Sequence, residues 1–318
     1  MFLFLVGLLC GEIKLVYERA LHSCAPIYRE GPNHLSAASG LCKVDGDLLI
    51  VPDDGTDLFV DSASGSTVFP LLQRAALPRG HVERKEVKPD FESLARIGED
   101  FLTVGSGSTA SRARGVVFRY RSKFGPSQIQ EFDLSPLYQD LRATIPQLNI
   151  EGLAALEELG VLRLAHRGKT SMLIDLNLPQ ALTAARQGKP WTPDMLLAIT
   201  SVELGLLDNV PLGITDLTPI SQRRCAFSAA AEATDDPVDD GEVIGSTVGV
   251  LSAQGEVITM ARLDRPVKVE GIAAEEKPGG LQLFLVTDAD DPELPAQLFS
   301  AHLPLSKDSS HRLQHRLQ

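Results

Sequence analysis

The sequence predicts an all-β chain: a β-propeller of five blades, each of four antiparallel strands, closed by an N-terminal strand. Three observations carry this. A short motif of an acidic residue, a small one and an aliphatic recurs at Glu92-Ser-Leu-Ala, Glu151-Gly-Leu-Ala and Glu270-Gly-Ile-Ala. Looser copies are Asp216-Leu-Thr-Pro and Ser39-Gly-Leu-Cys, so the copies are spaced by 53, 59, 65 and 54 residues, a period that suits propeller blades with variable loops. Between the copies lie short apolar runs bounded by turn residues, while helical periodicity is scarce.

Each unit reads the same way in order. After the motif strand comes a turn, as at Asp45-Gly-Asp47, Gly98-Glu-Asp100 or Pro278-Gly-Gly280. Second strands are expected at Leu48–Val51, Phe101–Val104, Val161–Ala165, Cys225–Ser228 and Leu283–Thr287. Third strands follow at Leu58–Val60, Gly115–Tyr120, Ser171–Leu176, Thr247–Ser252 and Gln297–His302, and fourth strands at Ser66–Leu71, Ser127–Leu134 and Glu256–Arg262. Pro136–Thr144 and Leu178–Arg186 read as short helices inside loops. Trp191 falls in a long insertion, Pro179–Pro211, read as a lid or a packed loop; six blades follow instead if residues 187–212 hold a further unit. Glu12–Leu21 reads as the strand that completes the last blade and removes an aggregation-prone edge. The expected organisation is an apolar segment over 1–11, one propeller domain over 12–305, and a tail over 306–318 that ends in two copies of His-Arg-Leu-Gln.

Composition narrows the function. With 30 Lys+Arg against 42 Asp+Glu, the formal charge of −12 argues against a partner whose phosphate backbone demands a basic surface. The four cysteines, at 10, 24, 42 and 225, form no C-x-x-C pair, so neither a zinc knuckle nor a dithiol site is expected. Residues 1–10 are apolar but lack a basic lead-in and are too short to span a bilayer, so no membrane span and a cytoplasmic location are expected, with export on residues 1–10 as a signal the alternative. Neither a G-x-S-x-G elbow nor an H-E-x-x-H motif is present.

The first strand of each propeller blade lines the central channel. The repeat therefore puts Glu92, Glu151, Asp216 and Glu270 in one tier with Ser39. Residues two earlier face the same way, which adds Asp90, Asn149 and Lys268. Clustered carboxylates repel at low dielectric, so the tier must hold protons, a cation or basic side chains. An oxygen-only set suits a hard cation, calcium before magnesium, and the candidate ligands are Glu92, Glu151, Asp216, Glu270, Asn149 and Asp90. Glu92, Glu151 and Glu270 are the candidate acid/base residues. Pairing with Lys268 and nearby arginines, or capping of backbone N–H groups between blades, is the bland alternative. A second group is expected at one channel mouth: Asp53, Asp54, Ser106, His166, Arg167, Glu232, Asp288, Asp290 and Asp291. There Ser106, Arg112, Arg114, His166, Arg167 and Lys268 would bind a small anionic or ester ligand. The loop Gly105-Ser-Gly-Ser could offer N–H groups to a phosphate, although it fails the dinucleotide pattern at Ala110.

Several stretches carry a family resemblance: Lys88-Pro-Asp-Phe-Glu-Ser-Leu, Gly105-Ser-Gly-Ser with Arg114-Gly, Asn149-Ile-Glu-Gly, Gly213-Ile-Thr-Asp-Leu, Ala230-Ala-Glu, Lys268-Val-Glu-Gly and Thr287-Asp-Ala-Asp-Asp-Pro. Over about residues 35–303 the chain resembles an uncharacterised bacterial β-propeller family. It is more distantly similar to SdiA-regulated and esterase-like phytase propellers. The resemblance implies the fold and no settled activity, and no lactonase general base carries over. Two functions follow as expectations: a calcium-dependent hydrolase of an ester, lactone or phosphoester working in the acidic channel, or a non-catalytic binding or scaffold propeller.

Overall fold

The computed structural model describes residues 9–26, 31–72, 77, 81–122, 124–233, 241–288 and 291–305. The first eight residues of the apolar segment, the tail 306–318, Asp290 and most of the acidic run from Asp235 lie outside them.

Alternating apolar runs and tight turns build antiparallel meanders, and the chain forms five of them. Strands β1 (Leu9–Ile13) and β2 (Val16–Ala20) come first. Blade one is β3 (Ala38–Val44), β4 (Asp47–Pro52), β5 (Asp57–Ser62) and β6 (Gly65–Pro70). Helix α1 (His81–Val87) leads to blade two: β7 (Phe91–Ile97), β8 (Asp100–Gly105), β9 (Arg114–Arg121) and β10 (Gly125–Asp133). After α2 (Ser135–Leu141), blade three is β11 (Ile150–Leu156), β12 (Val161–His166), β13 (Ser171–Asn177) and β14 (Leu196–Val202), with α3 (Leu178–Arg186) before its last strand. Blade four runs through β15 (Leu206–Leu207), β16 (Val210–Ile220), β17 (Arg224–Ala233), β18 (Glu242–Leu251) and β19 (Val257–Leu263). Blade five is β20 (Val269–Lys277), β21 (Gly280–Thr287) and β22 (Gln297–Pro304), and β2 supplies its outer strand.

Residues 187–212 thus hold no sixth blade. They hold the fourth strand of blade three, which the sequence did not reveal, and the start of blade four. Trp191 is packed rather than lid-like: it is fully buried, stacks near Phe132 with ring centres 5.0 Å apart, and donates from Nε1 to the Ala181 carbonyl at 3.0 Å.

The N-terminal stretch expected as one strand is two. β1 runs parallel to β19 at the edge of blade four, whereas β2 pairs antiparallel with β22, Val16 opposite Ser300 and Ala20 opposite Gln297. Between them the buried Leu15 donates its N–H to Asp264 at 2.9 Å. Arg19 on β2 also pairs with Asp61 of blade one, so this short stretch ties three blades together.

The core lies between blades. Five apolar clusters fill the five interfaces, one to two, two to three, three to four, four to five, and five back to one. The last of these brings Leu41 and Ile50 of blade one against Ala273 and Val286 of blade five, so the ring closes on apolar surface as well as on strand pairing.

The inner strands β3, β7, β11, β16 and β20 each carry one β-bulge at the motif. The residue skipped in the pairing is Glu92, Glu151 or Glu270 in three blades, and Thr215 in blade four. A bulge re-aims its side chain, which sets the acids into the channel mouth. The small residue after the acid has its own cause. A Cβ on Gly271 would meet the Ser39 carbonyl at 2.1 Å, and one on Gly40 would meet the Ser93 backbone at 2.3 Å. Neighbouring inner strands touch there, which favours glycine or another small residue in blades one, two, three and five.

Candidate functional site

Blade four shifts the expected tier by one residue. Thr215 takes the slot, donating to the Val269 carbonyl at 2.7 Å, with the Ser228 hydroxyl 2.9 Å from its own. Asp216 stands where the other blades have a small residue, and it is fully buried. Its carboxylate accepts from the N–H groups of Leu217 at 2.7 Å and Ile272 at 2.9 Å. Burial pushes its pKa well up against the pull of these N–H groups and that of Leu41. Asp216 is therefore a strut between inner strands, and the tier holds three carboxylates instead of four.

Those three carboxylates sit in two clusters of buried charge at the end of the channel where the inner strands begin. Around blades one and two, Asp90 follows Lys88-Pro89 and adopts φ 58°, a left-handed conformation that costs a non-glycine residue energy. Its carboxylate takes Lys88 Nζ at 2.7 Å and Arg112 Nη1 at 2.8 Å, and it accepts from the Ser106 hydroxyl. Lys88 Nζ also lies 2.5 Å from Asp53. Burial alone would lower the Lys88 pKa, but Asp53, Asp90 and Glu92 outweigh it and hold the ammonium charged. Glu92 accepts from Ser39 Oγ at 2.6 Å, and burial, then Asp90, Glu151 and Asp53, raise its pKa well above the usual value. Asp54 lies 3.7 Å from Arg84, and burial beside Asp53 pushes its pKa to about 7.

Around blades three to five the cations are Arg167 and Lys268. Arg167 spans three carboxylates: Glu232 at 2.8 Å, Glu270 at 3.4 Å and Glu151 at 3.9 Å. A Cβ on Gly213 would press on the Arg167 side chain at 2.8 Å, so a glycine there leaves the guanidinium its path. Lys268 lies 3.4 Å from Glu232 and 3.3 Å from Glu270. Burial opposes both charges, and the surrounding carboxylates raise both pKa values. Glu151 accepts from Asn149 Nδ2 at 2.6 Å, and the Asn149 N–H donates to His166 Nδ1 at 3.1 Å. Burial lowers the His166 pKa against its backbone bond with Asn149, whose carbonyl also lies 3.1 Å from Nδ1. Burial pushes the Glu151 pKa to about 8, with Arg167 pulling down and Glu270 pushing up.

The expected residues thus divide. Asp90, Glu92, Asn149, Glu151, Glu270, Lys268, Arg112, Ser106, His166 and Arg167 come together at this mouth with Asp53, Asp54 and Glu232. Asp288 lies beside Lys268, its N–H bonded to the Lys268 carbonyl at 3.2 Å. Arg114 does not join them: it pairs with Glu131 on the outer strand at 3.2 Å and donates to the Ser111 carbonyl. Asp291 caps a turn through the Glu293 N–H. The Gly105–Ser108 loop does not present a phosphate nest, because Ser106 N–H bonds the Asp90 carbonyl and Ser108 N–H bonds Ser106 Oγ. Its role is to clamp Asp90. Lys88 and Arg84 were missed, although Lys88 stands two residues before Asp90, as Lys268 does before Glu270.

Asp53, Asp90 and Glu92 offer carboxylate oxygens within 4.8 Å of one another, a group that could hold a metal ion. All three donors are oxygens, which suits a hard cation, but Lys88 Nζ lies against two of them. At the far end of the channel a cavity of about 370 Å³ is lined by Glu157, Glu158, Arg223 and Glu276. Its charges are solvated, with the Arg223–Glu158 pair more than half exposed. Among the described residues no helix is long and apolar enough to cross a membrane.

Solved structures similar to this chain include the α-L-arabinofuranosidase PaAbf62A from Podospora anserina in complex with cellotriose, at 9% identity over 92% of this chain and 97% of that chain, TM-score 0.50. A putative glycoside hydrolase from Parabacteroides distasonis matches at 11% identity over 90% and 93%, TM-score 0.44. A luciferin-regenerating enzyme matches at 11% identity over 85% and 80%, TM-score 0.40. Likeness at such identity speaks to the fold alone. A comparison with curated proteins finds no match. Residues 34–303 match the family of unknown function DUF6929, and the chain belongs to that family.

Proposed function

We propose that the protein is a hydrolase of a small ester, lactone or phosphoester, acting at the charged channel mouth. What carries this is the buried Glu151, 3.9 Å from Arg167 and bonded by Asn149 Nδ2, where burial pushes its pKa up to about 8. Neighbouring groups driven to different protonation states are what acid/base chemistry requires. Glu151, with Glu92 and Glu270, would move protons. Arg167, Lys268 and Arg112 would orient an anionic ligand, with Ser106, Asn149 and His166 holding the frame. The resemblance to SdiA-regulated and esterase-like phytase propellers adds phosphoesters to the substrates worth testing.

Calcium, or magnesium after it, enters this reading at Asp53, Asp90 and Glu92, where it would compete with Lys88. A bound cation would polarise a carbonyl or phosphoryl oxygen. Melting with calcium and with a chelator tests it, since a ligand of the native state must raise Tm. An unmoved Tm removes the metal and leaves Lys88 as the resident cation.

One observation favours a non-catalytic binding propeller instead: Lys88, Arg112, Arg167 and Lys268 already neutralise the acids, as a finished structural network would. A panel of esters, lactones and phosphoesters, run with wild type and Glu151→Gln, separates the two. The hydrolase reading expects turnover that Glu151→Gln lowers about 100-fold or more. No turnover across the panel, or turnover unchanged in the variant, refutes it.

A further inference from the structure

Helix α1 is attached in an unusual way. It has seven residues, too few to be stable alone. Of its described side chains, Glu83, Glu86 and Val87 are exposed and Arg84 is buried. Among the described side chains, the buried anchor is thus a charge. Arg84 reaches Asp54 at 3.7 Å, and Lys88, bonded through its N–H to the Arg84 carbonyl at 2.9 Å, reaches Asp53 and Asp90. The Glu86 carbonyl also accepts from Ser111 at 3.3 Å, next to Arg112. Every one of these charged contacts ends on the acids of blades one and two. The helix belongs to no blade: it lies in the connection between β6 and β7.

We propose that α1 is an autoinhibitory strap, latched over the acidic half of the channel mouth by Lys88 and Arg84, which place the chain's own cations where a ligand's cation would go. The inference rests on the mouth being the working site. The strap opens as a local unit, because its described anchors are ion pairs made from one seven-residue helix and the residue after it, whereas the blades are held by packed apolar interfaces. Releasing it frees Asp53, Asp54 and Asp90 and loosens the turn that carries Arg112.

Amide hydrogen exchange on the full chain tests this without reference to turnover. In wild type, amides of residues 84–88 should exchange at least about tenfold faster than those of β7 and β8. Lys88→Ala should speed them by about tenfold or more while β7 and β8 keep their protection. Adding n-propylammonium, which replaces the missing part of the lysine, should restore the protection, and tetramethylammonium at equal ionic strength should not. The strap is overturned if 84–88 exchange only with global unfolding in wild type, a result that needs no variant to fold. It is equally overturned if Lys88→Ala folds and changes nothing, or if both ammonium ions act alike. Loss of hydrolysis with an intact exchange response would fault the hydrolase reading and leave the strap standing.

Discussion

The two halves of the channel mouth reach neutrality by different routes. In the half formed by blades three to five, the cations belong to the blades. Arg167 directly follows β12 and Lys268 directly precedes β20, so both are fixed by the sheets that carry their partners. In the half formed by blades one and two, the cations come from connections: Arg84 from α1, Lys88 from the residue after it, and Arg112 from a short 3-10 turn. Buried charge can therefore be permanent on one side and removable on the other. What decides is the element that delivers the cation, not the distance of the ion pair.

The largest effect should come from the fixed half. Arg167→Met leaves Glu151, Glu232 and Glu270 without their shared partner, and removing one member of a buried ionic network typically costs about 3–5 kcal/mol. Urea unfolding measures it; a loss below about 1 kcal/mol would equate this pairing with a surface one. Lys88→Ala should cost less, roughly 1–2 kcal/mol, because the strap can lift and admit water to the acids. Equal costs for the two variants would erase the difference between the halves.

A separate effect lies in pH. The Glu151 carboxyl sits at about 8 in the fold against 4.5 as usual, and Asp54 at about 7 against 3.8. The native state thus binds more protons than the unfolded chain over those windows. Stability should fall as pH rises from about 4.5 through 8 for Glu151, and from about 3.8 through 7 for Asp54. Glu151→Gln should flatten the upper part of that slope in melting curves, and Asp54→Asn the lower part. Slopes unchanged by either variant would contradict the assignments.

Much of this was legible in the sequence, for a physical reason. The ring repeats the same bulge in each inner strand, with a small residue after it in four of the five blades, so most inner strands read as acid, small residue, aliphatic. The repeat misled where one blade solved the problem differently: Asp216 fills the small-residue position of blade four, and as an acid it imitates the neighbouring slot. β14 was hidden because α3 and the Trp191 loop separate it from its blade. The split of the N-terminal strand was invisible because neither β1 nor β2 follows the repeat, and each takes its position from another blade's edge. Lys88 escaped notice because it stands two residues ahead of Asp90, outside the positions read from the repeat, and its other partner, Asp53, belongs to the neighbouring blade.

The central claim is that Glu151 carries a proton at neutral pH in the channel mouth. Following its side-chain carboxyl by ¹³C NMR through a pH titration tests it directly. The account predicts a midpoint near 8 that moves when Arg167 is replaced by methionine. A midpoint near 4.5, the usual carboxylate value, would contradict it.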